Sequence, residues 1–253
     1  QALLTERIKD EKFMRYIIRM FKAGVLSEGE LQVSEEGVVQ GSTSSPILAN
    51  IFAHYVIDEW IEREVKPRCK GTVRTFRFAD DCVLCCQYDS DAVRVKAALA
   101  KRLAKYKLKM NEGKTKMVNF RKTNGIKTSF DFLGFTFYLG RSRVGRIIPK
   151  LKTIGKRFRA KLKKVNEWAR SIRNKLPLRE IWYLFCSKLR GHINYYGVSF
   201  NEKAVRDFMH QAEKIMFKWL NKRSQRKSFN WQDFQKYTER HPLPAIKVYH
   251  KLF

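Results

Sequence analysis

Hydrophobic positions change their period along the chain, and the change divides it in two. Residues 1–23 predict one or two helices that stop before Gly24. Residues 36–40 predict an extended segment. Ser45-Pro46 then predicts a helix start, with the serine as cap and the proline in the first turn. Ile47, Leu48, Ile51, Phe52, Tyr55 and Val56 form its apolar stripe. Asp58, Glu59, Glu62 and Glu64 are assigned to a solvated far side. Residues 72–86 predict two strands around the turn Phe78-Ala79-Asp80-Asp81, and residues 90–106 a helix with Ala92, Val95, Leu99 and Leu103 on one face. Leu108 and Met110 alternate with lysines and predict a strand. Residues 117–120 predict another, with Asn111-Glu112-Gly113-Lys114 as the turn between them. Phe130-Asp131-Phe132 and Phe135-Thr136-Phe137 each alternate, but the phase slips at Leu133-Gly134, which predicts a bulge or tight hairpin there.

From residue 151 the pattern is helical. Ile154, Phe158, Leu162, Val165, Trp168 and Ile172 keep one face apolar, while Lys156, Arg157, Arg159, Lys161, Lys163 and Lys164 occupy the others. Pro177 opens a second helix that Gly197 stops. Asn201 caps a third, which carries Val205, Phe208, Met209, Ala212, Ile215, Met216, Trp219 and Leu220. Three amphipathic helices bury one another as a small bundle, and His241-Pro242-Leu243-Pro244 ends the regular structure. The first 150 residues predict α+β with antiparallel hairpins; residues 151–253 predict an all-helical unit.

Charge adds a partner to this picture. The 253 residues carry 53 Lys and Arg against 24 Asp and Glu, a formal net charge of +29. Through residue 150 there are 28 basic and 17 acidic residues; after it, 25 and 7. A hydrophobic share of 44% supports a packed core, so this is no disordered polycation. A fold this cationic repels itself until it meets a polyanion, and RNA or DNA is the usual one. No apolar run approaches the roughly 18 residues of a membrane span, and the N-terminus lacks a signal-peptide layout. Cys69, Cys82, Cys85, Cys86 and Cys186 form no disulfide or zinc spacing. Cys82 and Cys85 make a C-x-x-C with no second ligand pair, and in their apolar run with Cys86 they read as buried strand cysteines; a reduced, cytoplasmic protein is expected, with an organelle left open.

Two segments carry candidate chemistry. Asp80 and Asp81 are adjacent carboxylates at a hairpin tip. In isolation they read as an ordinary polar turn. Flanked by Phe76, Phe78, Val83 and Leu84 in a basic protein, they suit a hard divalent cation such as Mg²⁺, two of which assist phosphoryl transfer. Gln40-Gly41-Ser42-Thr43-Ser44-Ser45-Pro46 joins an extended segment to a capped helix, where amides and hydroxyls can meet a phosphate. Alone, it is a good helix cap.

The order of these segments resembles the reverse transcriptases, most closely those of group II introns. Gln40-Gly41-x-x-x-Ser45-Pro46 resembles their motif B and Phe78-Ala79-Asp80-Asp81 their motif C, usually Tyr-Ala-Asp-Asp. Asn111-x-x-Lys114-Thr115 resembles motif D and Phe132-Leu133-Gly134-Phe135 the primer-grip motif E. Gly191-His192-Ile193-Asn194-Tyr195-Tyr196-Gly197 resembles a helix of the thumb, or maturase X domain. The resemblance implies an antiparallel-sheet polymerase palm with packed helices over residues 1–150, followed by a helical thumb over 151–253. It implies Mg²⁺ as two ions (Mn²⁺ as a substitute) held by Asp80 and Asp81. Gln40, Gly41, Ser42, Ser45, Pro46, Phe78 and Ala79 would line the nucleotide and template pocket, and Leu133 and Gly134 would steady the primer. Lys114 would act on the departing pyrophosphate as acid or charge stabiliser, or stand as a solvated turn lysine. Lys156, Arg157, Arg159, Lys163 and Lys164 would grip RNA.

The implied activity is RNA-directed DNA synthesis from a DNA primer and dNTPs on an RNA template or intron RNA. The alternative is a non-catalytic, maturase-like RNA-binding module that assists intron folding and splicing. Two departures stand out. Phe78 replaces the usual tyrosine, which removes a hydroxyl but no metal ligand. The family also carries a further metal-binding aspartate in motif A, upstream of motif B. None of Glu6, Asp10, Glu11 or Glu28 sits in an apolar strand of that kind. The expectation is a palm that lacks the fingers and motif A, with a further segment or companion polypeptide supplying that aspartate. Residues 1–253 alone are then expected to be poorly active.

Overall fold

A computed structural model describes residues 2–22, 25–27, 30–32, 44–121, 128–223 and 230–252. The chain divides into two compact units, Gln1–Asn119 and Phe120–Phe253. Both mix helices with small antiparallel sheets, so the architecture is α+β.

The first unit opens with α1 (Ala2–Thr5) and α2 (Glu11–Lys22), a short hairpin of β1 (Val25–Ser27) and β2 (Glu30–Gln32), and α3 (Ser45–Ala53). The cap position of α3 is Ser44 rather than Ser45; its side chain makes no capping bond, and its hydroxyl donates to Met20 Sδ at 2.9 Å. Beyond α3 the backbone widens into π-helical turns over His54–Glu59 and Ile61–Val65, then tightens over Lys66–Arg68. The hairpin of β3 (Val73–Phe78) and β4 (Asp81–Cys86) leads into α4 (Asp89–Lys105). Val56, Ile61, Val65, Val95, Leu99 and Leu103 make the core, and Leu84 of β4 packs against it. Asp91, fully buried at the start of α4, accepts from the backbone N–H of Lys70 and Gly71 at 3.2 and 2.9 Å and so ties the approach to β3 onto the helix. The strands expected at Leu108–Met110 and over residues 117–120 do not form. Alternation alone makes no strand without a ladder, and β3 and β4 pair only with each other among the described residues.

The second unit opens with an antiparallel sheet in the order β5 (Ser129–Phe132), β6 (Phe135–Arg141) and β7 (Ile147–Thr153). β7 corrects the expected helical start at residue 151. Helix begins only at α5 (Gly155–Ile172), followed by α6 (Leu178–Tyr196), α7 (Glu202–Leu220) and α8 (Trp231–Arg240), the last of which the pattern had not predicted. Phe135 and Leu151 of the sheet share one core with Phe185, Ile193, Phe208 and Met216 of the helices. Asn201 does precede α7, but its side chain makes no cap. It is buried instead, accepting from the Thr153 N–H at 2.8 Å and donating to the Tyr196 carbonyl at 2.8 Å, which stitches β7 to the end of α6.

Candidate functional site

The β3–β4 hairpin closes through the pair Phe78↔Asp81, which leaves Ala79 and Asp80 as the two turn residues. Ala79 has φ 53° and Asp80 keeps a negative φ. That pattern belongs to the primed turns favoured by twisted hairpins. For an alanine it costs about 1–2 kcal/mol. Asp80 and Asp81 are both exposed, and their carboxylates have no hydrogen-bond or ion-pair partner among the described residues.

Alternation along β3 places side chains on opposite faces, and the polar one is inside. Phe76 and Phe78 are 56% and 64% exposed, whereas the Arg77 side chain is only 12% exposed. Arg77 donates from Nε to Asp58 Oδ1 at 2.8 Å and from Nη2 to Asp58 Oδ2 at 2.6 Å. Its Nη1 donates to Asn50 Oδ1 at 3.0 Å and to the Ala79 carbonyl at 2.9 Å. Asp58 therefore does not belong to a solvated face. The Arg77 hydrogen bond holds its carboxyl below the usual carboxylate range against the opposing effect of burial. His54 Nδ1 stands 3.4 Å from the same carboxylate. The cysteines behind the turn are free thiols. Cys82 and Cys86 are half-buried, and burial pushes the Cys82 thiol up to about 11. Cys85 is exposed, contrary to the expectation of buried strand cysteines, because it alternates onto the outer face of the hairpin with Phe76.

The exposed carboxylate pair fits a divalent cation by donor type. Mg²⁺ takes oxygen ligands and is usually held through one or two carboxylates plus substrate phosphates, rather than in an all-protein cage. No group of three or more His, Cys, Asp or Glu forms a cluster among the described residues.

Of the motif B residues, Gln40, Gly41 and Ser42 lie outside the described residues. Ser45 and Pro46 form the first turn of α3. Lys114 sits in the Asn111 turn: its N–H donates to Asn111 Oδ1 at 3.1 Å, and its side chain is exposed.

In the second unit, Leu133 and Gly134 form a two-residue hairpin turn between β5 and β6, with φ 47° and 88°. The phase slip is therefore a tight hairpin. The Tyr195 hydroxyl donates to the Leu133 carbonyl at 2.8 Å, and the Ile154 N–H donates to the Gly134 carbonyl at 3.1 Å. A Cβ at Gly134 would meet the Tyr196 hydroxyl at 3.2 Å and Arg157 Nη1 at 3.3 Å. Phe135 stacks on Tyr195 with centroids 5.9 Å apart. Lys156, Arg157, Arg159, Lys163 and Lys164 are all exposed along α5, Lys163 facing Glu167 at 3.9 Å. Lys161 is different. Its Nζ lies 4.4 Å from the Tyr196 ring centroid, and burial, then Arg157 and Lys164, pull its pKa down.

The family model for reverse transcriptase (RNA-dependent DNA polymerase) matches residues 3–137, more than half of the chain. The chain belongs to the reverse transcriptase family. This reverse transcriptase relative is 46% identical over 61 residues (24% of the chain) to the "Uncharacterized 91 kDa protein in cob intron" of Schizosaccharomyces pombe. It is 27% identical over 171 residues (56% of the chain) to Protein YkfC of Escherichia coli (strain K12). The matches cover 7% and 42% of those two proteins, so the reverse transcriptase segment here spans less than half of each. Sequence reasoning missed Arg77, Asp58 and Tyr195. For Asp58 a signal existed: it lies seven residues after Ile51 and three after Tyr55, on the apolar stripe itself.

Proposed function

We propose that this chain is the palm and thumb portion of a group II intron-type RNA-directed DNA polymerase. The observation that carries the reading is the exposed Asp80-Asp81 turn, whose carboxylates have no partner among the described residues, inside the segment that matches the family. A carboxylate pair with no structural partner is unusual in a chain of net charge +29, where cations are plentiful. Ligation of a hard cation accounts for it.

In this reading Asp80 and Asp81 hold divalent cations between protein and phosphate. When bound, such ions neutralise the charge that develops at the α-phosphate and favour the ionised primer hydroxyl. The primer 3′-hydroxyl oxygen bonds to the α-phosphorus of the dNTP, and the bond to pyrophosphate breaks. Lys114, exposed in its turn, offers charge or a proton to the departing pyrophosphate. Gln40, Gly41, Ser42, Ser45, Pro46, Phe78 and Ala79 are assigned to the nucleotide and template side. Leu133 and Gly134, held by Tyr195, steady the primer end. Lys156, Arg157, Arg159, Lys163 and Lys164 bind backbone phosphates. The α+β architecture and the helices α5 to α8 of the second unit are compatible with a palm and a thumb. Two-ion chemistry also requires the motif A aspartate, so extension is to be tried with a segment or companion polypeptide that carries it.

Primer extension on an RNA template tests the reading. Incorporation of dNTPs in the presence of Mg²⁺, lost on chelation, is expected. Incorporation of rNTPs instead would reassign the chain to RNA synthesis. A second reading, a maturase-like module that binds intron RNA without catalysis, is favoured by the cob-intron relative alone. It predicts tight RNA binding with no extension even when the motif A segment is present.

A further inference from the structure

We infer that Arg77 is the positioning residue that aims the Asp80 carboxylate, by locking the central peptide of the hairpin turn. The inference rests on the reading of Asp80 as a cation ligand.

The geometry is specific. Phe78 to Asp81 form the turn, so the peptide between Ala79 and Asp80 is its central one. The two primed turn types share a positive φ at the first central residue and differ by a flip of that peptide. In one of them the second residue also has a positive φ; in the other it does not. Here Ala79 has φ 53° and Asp80 stays negative. Asp tolerates the left-handed region better than most residues, so the flipped turn is accessible to this sequence. The flip would rotate the Ala79 carbonyl away and re-aim the Asp80 side chain.

Arg77 opposes that flip. Its Nη1 donates to the Ala79 carbonyl at 2.9 Å, which exists at that place in only one of the two turns. The same nitrogen donates to Asn50 at 3.0 Å, and the other edge of the guanidinium grips both oxygens of Asp58. The planar fork of an arginine is thus fixed on the helix side before it reaches the turn. Asp58 lies in the π-helical turn His54–Glu59, and Arg102 Nε donates to the Val56 carbonyl of that turn at 3.2 Å. The anchor is therefore itself held, and the hydrogen bond to the Ala79 carbonyl becomes a fixed orientation for the carboxylate of the next residue, Asp80. A purely structural ion pair needs no donor aimed at the tip.

Mn²⁺ binding read by electron paramagnetic resonance tests this, with primer–template present and the motif A segment supplied. Wild type is expected to bind, and Asp80→Asn to lose the signal. Arg77→Lys keeps the charge but cannot span Asp58 and Ala79 together. It is expected to bind Mn²⁺ about 10–100-fold more weakly, the usual effect of losing a group that orients a ligand. The reciprocal variant, Arg77→Asp with Asp58→Arg, restores the ion pair but not the donor on β3. Its melting temperature is expected to recover while its Mn²⁺ affinity does not. Wild-type affinity in Arg77→Lys, or recovery of affinity together with stability in the reciprocal variant, overturns the positioning role and leaves Asp80 as ligand. Equal binding by wild type and Asp80→Asn overturns the reading of Asp80 itself, and the inference with it.

Discussion

At Gly134 the backbone turns with φ 88°, and the space where a side chain would start is already bounded by the Tyr196 hydroxyl and Arg157. Both facts demand glycine. Gly134→Ala is expected to lower stability by about 1–2 kcal/mol through the positive φ alone; thermal denaturation reads it, and an unchanged melting temperature would show that the turn adopts another conformation. Arg77 is the complementary case, a residue whose role the sequence hides. A strand written Arg-Thr-Phe-Arg-Phe says that alternate residues share a face, not which face is buried. Hydrophobicity favours the phenylalanines inside; the structure puts Arg77 there because both oxygens of Asp58 take one edge of its guanidinium while Asn50 and the Ala79 carbonyl take Nη1. The turn at Ala79-Asp80 was legible because its two strands adjoin it in the chain, whereas Arg77 and Asp58 meet only through the fold.

Among elements, helices of long and regular period were the most legible, as the Val95, Leu99 and Leu103 face of α4 shows. The failures lie where an element depends on partners. β7 carries a proline and two lysines and becomes a strand by pairing with β6. Residues 108–110 alternate well and remain irregular, having nothing to pair with among the described residues. The α6 helix carries a further consequence of packing. His192 is buried and stacks on Phe208 with centroids 3.7 Å apart, and its Nδ1 has no hydrogen-bond partner among the described residues. Burial, and then the charge of Lys161, push its pKa from 6.5 down to about 3. Between those values the unfolded chain binds a proton that the native state does not. His192 therefore favours folding fully above about pH 6.5 and progressively less as pH falls toward 3, with a slope of up to ~1.4 kcal/mol per pH unit. His192→Phe is expected to flatten the acid limb of the stability profile measured by denaturant titration. An acid limb of unaltered slope would mean that other groups dominate it.

For the whole molecule, the charge distribution was readable from composition. The pattern placed a boundary at residue 150, where charge and period change. The compact units divide after Asn119 instead, because Phe135 and Leu151 bury themselves in the helical core of the second unit. A change of period marks a change of element type; a unit boundary follows the core. The positive charge on α5 is exposed and, apart from Lys163, lacks carboxylate partners among the described residues. Neutralising Lys156, Arg157, Lys163 and Lys164 together is expected to weaken RNA binding and to make the slope of log affinity against log salt shallower by about 3. An unchanged slope would mean that this helix face meets only solvent.

In the proposed function the Asp80 carboxylate holds the cation on which strand copying depends, while the basic helices hold the strands. Primer extension on an RNA template by Asp80→Asn, with the motif A segment supplied and RNA affinity measured on the same preparation, tests it most directly. Extension is expected to be lost and RNA affinity unchanged. Extension at the wild-type rate would contradict it.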